Sequence, residues 1–219
     1  ILGLASGGTY IASTVPLSER LSVTASMSEA SDDHSYIDPL TEIRVYDENG
    51  LADFGATAAN ISVNYQLIDN LNLSLDYTQL RERDSLLGDQ GTGFLSMNGG
   101  SVTDAVTFGS EVSLPFGLAV GASATMAETR STTFDNGFLS ISDGGLNSTA
   151  FAVGLRKNGV VGDHDTLRLS LAQPLRVESG SFEFSALEVV NRETGELGLV
   201  NQVWGLQEVE RELNLEIED

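Results

Sequence analysis

Residues 61–80, ISVNYQLIDNLNLSLDYTQL, alternate apolar and polar on both sides of an Asp-Asn turn. Ile61, Val63, Tyr65 and Leu67 share one face of the first arm, and Leu71, Leu73, Leu75 and Tyr77 one face of the second. Ser62, Asn64, Gln66, Asn72, Ser74 and Asp76 take the other side. A period of two places successive side chains on opposite sides of a strand, and two such runs joined by a tight turn make a hairpin. Each strand of such a chain has an apolar face to shield. The shield is either a second sheet or the hydrocarbon of a bilayer.

The hairpin has relatives along the chain. In 10–27, Ile11, Ser13 and Val15 lead into a turn at Pro16–Arg20, and Leu21, Val23, Ala25 and Met27 return. In 105–126, Val106, Phe108, Val112 and Leu114 precede a turn at Pro115–Gly117, and Leu118, Val120, Ala122, Ala124 and Met126 follow. In 148–177, Phe151, Val153 and Leu155 are answered by Leu167, Leu169 and Leu171 across a longer turn. Turn centres near 18, 69, 116 and 162 are spaced by 51, 47 and 46 residues, which is a hairpin array and not a tight solenoid.

Hairpins are thus expected at about 9–28, 59–79, 105–127 and 148–177, with 178–219 forming an extended hairpin and the start of a further strand. All belong to one domain spanning 1–219. The joining segments, about 29–58, 80–104, 128–147 and 178–212, are long and rich in Asp, Gly, Ser and Asn. Short turns at one end and long loops at the other are how transmembrane β-barrels are organised, whereas sandwiches mix loop lengths at both ends. Arms of about nine to eleven residues suit a tilted strand crossing hydrocarbon. The expected class is therefore all-β, an antiparallel up-and-down hairpin array forming a transmembrane β-barrel, incomplete in this chain. A soluble sandwich is the competing form.

In the barrel reading Val63, Leu73, Val112, Val120, Phe151 and Leu169 face lipid, and the polar Glu111, Arg156 and Arg168 face the lumen. The lumenal charges would pair across the interior, a structural role, with gating or export as the functional alternative.

Charge narrows the partners. The 32 acidic residues against 11 basic ones give a formal charge of −21. Nucleic acid is excluded as a partner, because phosphate contacts need a basic surface. There is no cysteine, hence no disulfide framework and no thiol chemistry. No apolar run reaches the roughly 18–20 residues of a spanning helix, so any membrane crossing would be made by strands. The opening ILGLASGG has no basic-then-apolar leader, so a signal peptide is expected to have been removed or to lie upstream.

The segment TAFAVGLRKNGVVGDHDTLRLSLAQPLRVESGSFEF (149–184) resembles the C-terminal region of proteobacterial subtilisin-like serine peptidases built as autotransporters. LSLAQPLRVESG (169–180) carries the recurring stretch LS-x-x-QPLRV-x-x-G, and TFGSEVSLPFGLAVGASA and LNLEIE have counterparts on either side. The resemblance covers the last half of the chain, the first half agreeing by pattern alone. It implies an outer-membrane β-domain with long loops outside the cell. Its partners would be the lipid bilayer, the outer-membrane assembly machinery and an N-terminal passenger domain. Barrels of that family have twelve strands and end on an aromatic residue; here there are eight strands plus LNLEIE, and the sequence stops at EIED.

The catalytic residues of the peptidase half have no match in this chain. His34 and His164 lie outside any subtilase setting, and no Gly-x-Ser-x-Gly elbow occurs. The expectation is no enzyme activity and no cofactor. Calcium in the acidic loops is the one exception considered: Asp33 and His34 in SDDHSYID, Asp47 in DENG and Asp135 in FDNG are weak candidates. The last two approach calcium-loop spacing without the remaining ligands or a closing Glu, and turn chemistry accounts for them better. Of the sequons at Asn60, Asn72 and Asn147 two fall in or beside strands, and in a bacterial chain they read as accidental. Trp204 belongs to a strand-like extension, where packing is its expected role and a contact surface for a passenger the alternative. The function expected is an outer-membrane translocator or anchor for a passenger. The alternative is a soluble extracellular β-protein, an adhesin or a subunit of a surface filament or layer.

Overall fold

The computed structural model describes residues 9–32, 36–37, 44–45, 54–83, 86, 100–132, 139–159, 165–206 and 212–218. In chain order the strands are β1 (Thr9–Pro16), β2 (Leu21–Asp32), β3 (Tyr36–Ile37), β4 (Arg44–Val45), β5 (Phe54–Ile68), β6 (Leu71–Arg83) and β7 (Ser101–Leu114). They continue with β8 (Leu118–Ser131), β9 (Leu139–Ile141), β10 (Leu146–Asn158), β11 (Thr166–Ser179), β12 (Ser181–Asn191), β13 (Glu196–Gly205) and β14 (Asn214–Glu218). Nine of them form one sheet in the order β1-β2-β5-β6-β7-β8-β10-β11-β14. Every neighbouring pair in it is antiparallel.

The chain is therefore all-β and its main sheet is an up-and-down array of the four expected hairpins. Among the described residues the sheet is open: β1 and β14 are its two edges. Because the order is a meander, the tight turns at Leu17–Arg20, Asp69–Asn70 and Pro115–Gly117 share one end, and the long connections share the other.

The strands run further than the apolar alternation that announces them. β5 begins at Phe54 and β6 ends at Arg83, against the expected 59–79, and β7 and β8 together span 101–131, against 105–127. Pairing continues through Gln79↔Asp104 and Arg81↔Val102, and through Asp104↔Glu128 and Val102↔Arg130. On the face that is apolar lower down, the side chains become charged before backbone pairing stops. The hydrophobic signal therefore ends about two rows before the strand does.

Two expected loops contain strands of a second sheet, ordered β13-β12-β9. β9 lies within 128–147, and the β12–β13 hairpin lies within 178–212. Ile141 and Phe182 from this sheet pack with Leu139, Leu86, Leu146 and Val177, joining it to the long-connection end of the main sheet. Gly180, with φ of +144°, makes the corner between β11 and β12. A Cβ there would stand 2.5 Å from Leu146 Cδ2 and 2.7 Å from the Gly145 carbonyl oxygen. Trp204 stacks on Phe184 with ring centroids 6.1 Å apart, the packing role expected for it.

The QPLRV stretch is a β-bulge. Phe151 pairs with Gln173, but the next paired residue, Thr149, faces Arg176, so two steps along β10 match three along β11. Pro174 has no N–H to donate, and a bulge is one of the few places where a strand tolerates it. The extra residue exchanges the faces of β11, so that Val177 follows the polar face and Arg176 the other.

Gly100 has φ of +78°, and a Cβ on it would fall 1.8 Å from the Glu82 carbonyl oxygen. At Gly154 the nearest atom to such a Cβ, the Leu169 carbonyl oxygen, is 3.9 Å away. Gly100→Ala is expected to lower the unfolding free energy by about 2 kcal/mol or more, through left-handed strain plus a backbone clash. Gly154→Ala should leave it unchanged or raise it by about 0.5 kcal/mol. Denaturant midpoints of the refolded chain measure both.

Candidate functional site

Register and the alternation of strands resolve the main sheet into two unlike faces. On the apolar face one row reads Val15, Val23, Val63, Leu75, Phe108, Ala124 and Phe151. Another reads Leu71, Val112, Val120, Leu155 and Leu169. Along β7 the same face runs Leu114, Val112, Ser110, Phe108, Val106 and then Asp104; along β8 it runs Leu118, Val120, Ala122, Ala124, Met126 and then Glu128. The apolar part is nine residues long on each strand, eight steps or about 27 Å at ~3.4 Å per residue. Tilted by about 40°, that is roughly 21 Å of height, close to the ~25 Å band of outer-membrane barrels.

This face is uncovered. Ile61 is 53% exposed, Phe108 51% and Met126 74%, in positions where a sandwich would place its second sheet. The six residues expected to face lipid, Val63, Leu73, Val112, Val120, Phe151 and Leu169, all lie on it.

The polar face is built of small hydrogen-bonding residues. Cross-strand hydroxyl pairs join Thr14 to Thr24 at 2.9 Å, Thr103 to Thr129 at 2.8 Å and Thr107 to Thr125 at 2.8 Å. Such pairs stabilise a sheet locally. Toward the long connections this face is buried: Ala56, Ala58 and Leu80 cluster, and Thr103, Thr129 and Ser101 are inaccessible to solvent. The buried Glu82 accepts a hydrogen bond from the Ser101 hydroxyl at 3.2 Å. Toward the short turns the face opens into a hollow of about 800 Å³. Ser22, Asn64, Asn72, Ser74, Gly121 and Ser170 are among its lining, and it touches β1, β2, β5 to β8, β10 and β11. One hollow shared by so many strands means that the sheet curls around its polar side.

Glu111 lines this hollow, and Arg156 and Arg168 share its polar face. Arg156 on β10 reaches across β8 to Glu111 on β7, 3.6 Å from Nη2 to Oε1. The reach is open because β8 offers only Ala119 and Gly121 between them. Arg156 and Arg168 stand directly opposite one another. The register of β14 then brings Glu216 beside Ser170 and places position 218 beside Arg168. Glu111 and Arg156 thus pair along the polar face of one sheet, with both groups about half exposed.

A polar girdle caps the apolar band, and the alternation gave no sign of it. The Tyr77 hydroxyl donates to Asp104 Oδ1 at 2.6 Å, Gln79 Nε2 donates to the same oxygen at 3.0 Å, and Arg130 bonds Asp104 Oδ2. Glu128 lies 3.6 Å from Arg130 Nε. The available signal was the loss of apolar character at 79, 104 and 128 on strands that had not ended.

Asp33, His34, Asp47, Asp135 and His164 lie outside the described residues. Among the described residues no group of three or more acidic or imidazole side chains gathers to hold a metal, and no helix is long and apolar enough to cross a membrane. No known protein family matches the chain, and no curated protein or solved structure does either.

The two polar constellations differ in what they contribute. Asp104 is largely shielded and accepts from three donors, whereas the Glu111–Arg156 pair is open to water. Asp104→Ala is expected to lower stability by about 2 kcal/mol, the worth of hydrogen bonds to a charged group. Glu111→Ala should lower it by less than about 1 kcal/mol, as for exposed ion pairs. Equilibrium unfolding in neutral detergent compares the two.

Proposed function

We propose that the chain is wall and anchor of an outer-membrane β-barrel that tethers or exports a passenger. The carrying observation is the uncovered apolar band, continuous over the main sheet and of bilayer-compatible height, backed by a polar, curled opposite face. Charged side chains bound the band at the long-connection end, and connection lengths divide cleanly between the two ends. The resemblance of 149–184 to autotransporter regions of subtilisin-like peptidases supplies the passenger part of the reading. In that family the passenger is a serine peptidase, and the role proposed for this chain is non-enzymatic.

The open edges of β1 and β14 favour a second reading. In it the chain is an extracellular β-protein, an adhesin or filament subunit, whose sheets pair edge to edge between copies.

Val120→Arg would set a charge on the apolar face, at a cost of about 2–4 kcal/mol near a bilayer midplane. Gly121→Ser points the other way, where an added Cβ meets only the Ser110 carbonyl oxygen at 3.7 Å. Val120→Arg should abolish heat-modifiable migration and membrane retention, and Gly121→Ser should preserve both. Equal effects from the two would count against a lipid-facing band.

Sidedness follows from the connections, since barrels keep short turns in the periplasm and long loops outside. Protease added to intact cells should cut near 89–93 or 135–137 and spare Asp69–Asn70 and Pro115–Gly117. Cleavage at the short turns alone would invert the topology, and cleavage at both ends would favour the extracellular reading.

A further inference from the structure

Beyond the polar girdle, the apolar face carries arginines in an otherwise strongly acidic chain. Arg81 on β6 and Arg130 on β8 belong to one row, with Val102 of β7 between them. At ~4.8 Å per strand their backbones are roughly 10 Å apart. Arg83 follows Arg81 by two residues, on the same side and exposed. The guanidinium groups are held in place: Arg81 Nε donates to Gln79 Oε1 at 3.2 Å, and Arg130 is gripped by Asp104 and Glu128 while remaining 54% exposed. By contrast, the cations at the short-turn end serve the turns. Arg20 pairs with Asp69 at 3.2 Å, and the Lys157 ammonium donates to the carbonyls of Phe116 and Asn158 at 2.7 and 2.6 Å.

We infer that Arg81, Arg83 and Arg130 form a docking surface for the phosphate groups of lipid headgroups, in the leaflet at the long-connection end. The inference rests on the membrane reading above. A guanidinium presents a planar fork that takes phosphate oxygens two at a time. Arg81 and Arg130 stand two same-face rows beyond the end of the apolar band and Arg83 three, on the headgroup side of the girdle. Holding them beforehand reduces the side-chain ordering that binding would otherwise require. A chain of net charge −21 is repelled by an anionic leaflet, and a basic arc at headgroup depth offsets that repulsion where contact is made.

Native mass spectrometry of the full chain, released from neutral detergent, tests this. The probes are a diphosphorylated glycolipid and the same lipid after dephosphorylation. Strand content and heat-modifiable migration are recorded for each variant. The wild-type chain should retain the phosphorylated lipid preferentially. Arg81→Gln should reduce that retention roughly fivefold, and Arg81→Gln with Arg130→Gln about 25-fold, at the usual worth of a cation beside an anionic membrane surface. Arg81 keeps the assay informative if Arg130→Gln disturbs the girdle, since its Nε bonds Gln79, whereas Arg130 is the residue that bonds Asp104 and Glu128. Arg20→Gln, which removes equal charge at the opposite end, should retain the lipid as wild type does. Equal retention of both lipids, an unchanged preference in Arg81→Gln, or displacement by excess inorganic phosphate would overturn the docking surface alone. A chain that stays soluble and folded without detergent would overturn the membrane reading, and this inference with it.

Discussion

The unsatisfied apolar face governs the rest of the molecule. Val15, Ile61, Leu75, Phe108, Met126, Phe151 and their row neighbours present a continuous hydrophobic surface that nothing among the described residues covers. At about 1 kcal/mol for each half-exposed large side chain, on the order of 10 kcal/mol of burial is left unrealised. That matches the whole net stability of a typical domain, ~5–15 kcal/mol. A sheet with this face calls for a cover, and the curl of the sheet toward its polar side is what favours the proposed hydrocarbon over a second sheet.

The opposite face shows why. A sandwich would also leave its outer face polar, but here the polar face is the concave one: at the short-turn end Asn64, Asn72, Ser74, Glu111 and Ser170 stand around a hollow. Glycines at 109, 121 and 154 keep it shallow, and the threonine pairs satisfy hydroxyls within the sheet. Small side chains on one side and large ones on the other let strands curl toward the small side. A curl with the polar side inward is what the proposed barrel wall would need. The Arg156–Glu111 bridge spans the polar face without a large energetic role, because water reaches both ends of it.

The hairpins were legible because strand faces and apolar alternation coincide over the band, so 61–80 and its relatives pair as antiparallel hairpins where expected. The strand ends were not, because pairing continues through Gln79, Arg81, Asp104 and Glu128, where alternation no longer separates apolar from polar. β9 was read as connection and the extended hairpin in 178–219, present as β12–β13, as part of the one array, since nothing in their composition says that they form a sheet of their own. The Pro-Phe-Gly turn was placed correctly. Its conformation was not foreseeable: Phe116 takes φ of +66°, unusual for a bulky residue, with its carbonyl tied to Lys157. The polar-face charges were identified individually, but the reach of Arg156 to Glu111 depends on Ala119 and Gly121 lying between them, a fact of register.

The edges set the hardest condition on the membrane reading. Nine strands in an antiparallel meander leave β1 and β14 running in the same direction, so these two edges cannot meet as an antiparallel pair. In an edge strand alternate residues turn both backbone polar groups outward, and β1 has eight residues. Each group left unpaired in hydrocarbon costs several kcal/mol. Even a few of them outweigh the roughly 10 kcal/mol that lipid would return by covering the apolar band. The band and the edges therefore make one demand together. Lipid satisfies the face only if further strand, from this chain or from a neighbour, satisfies the edges, and all-antiparallel closure admits only an odd number of added strands. A sheet that met the first condition without the second would be less stable in the bilayer than in water.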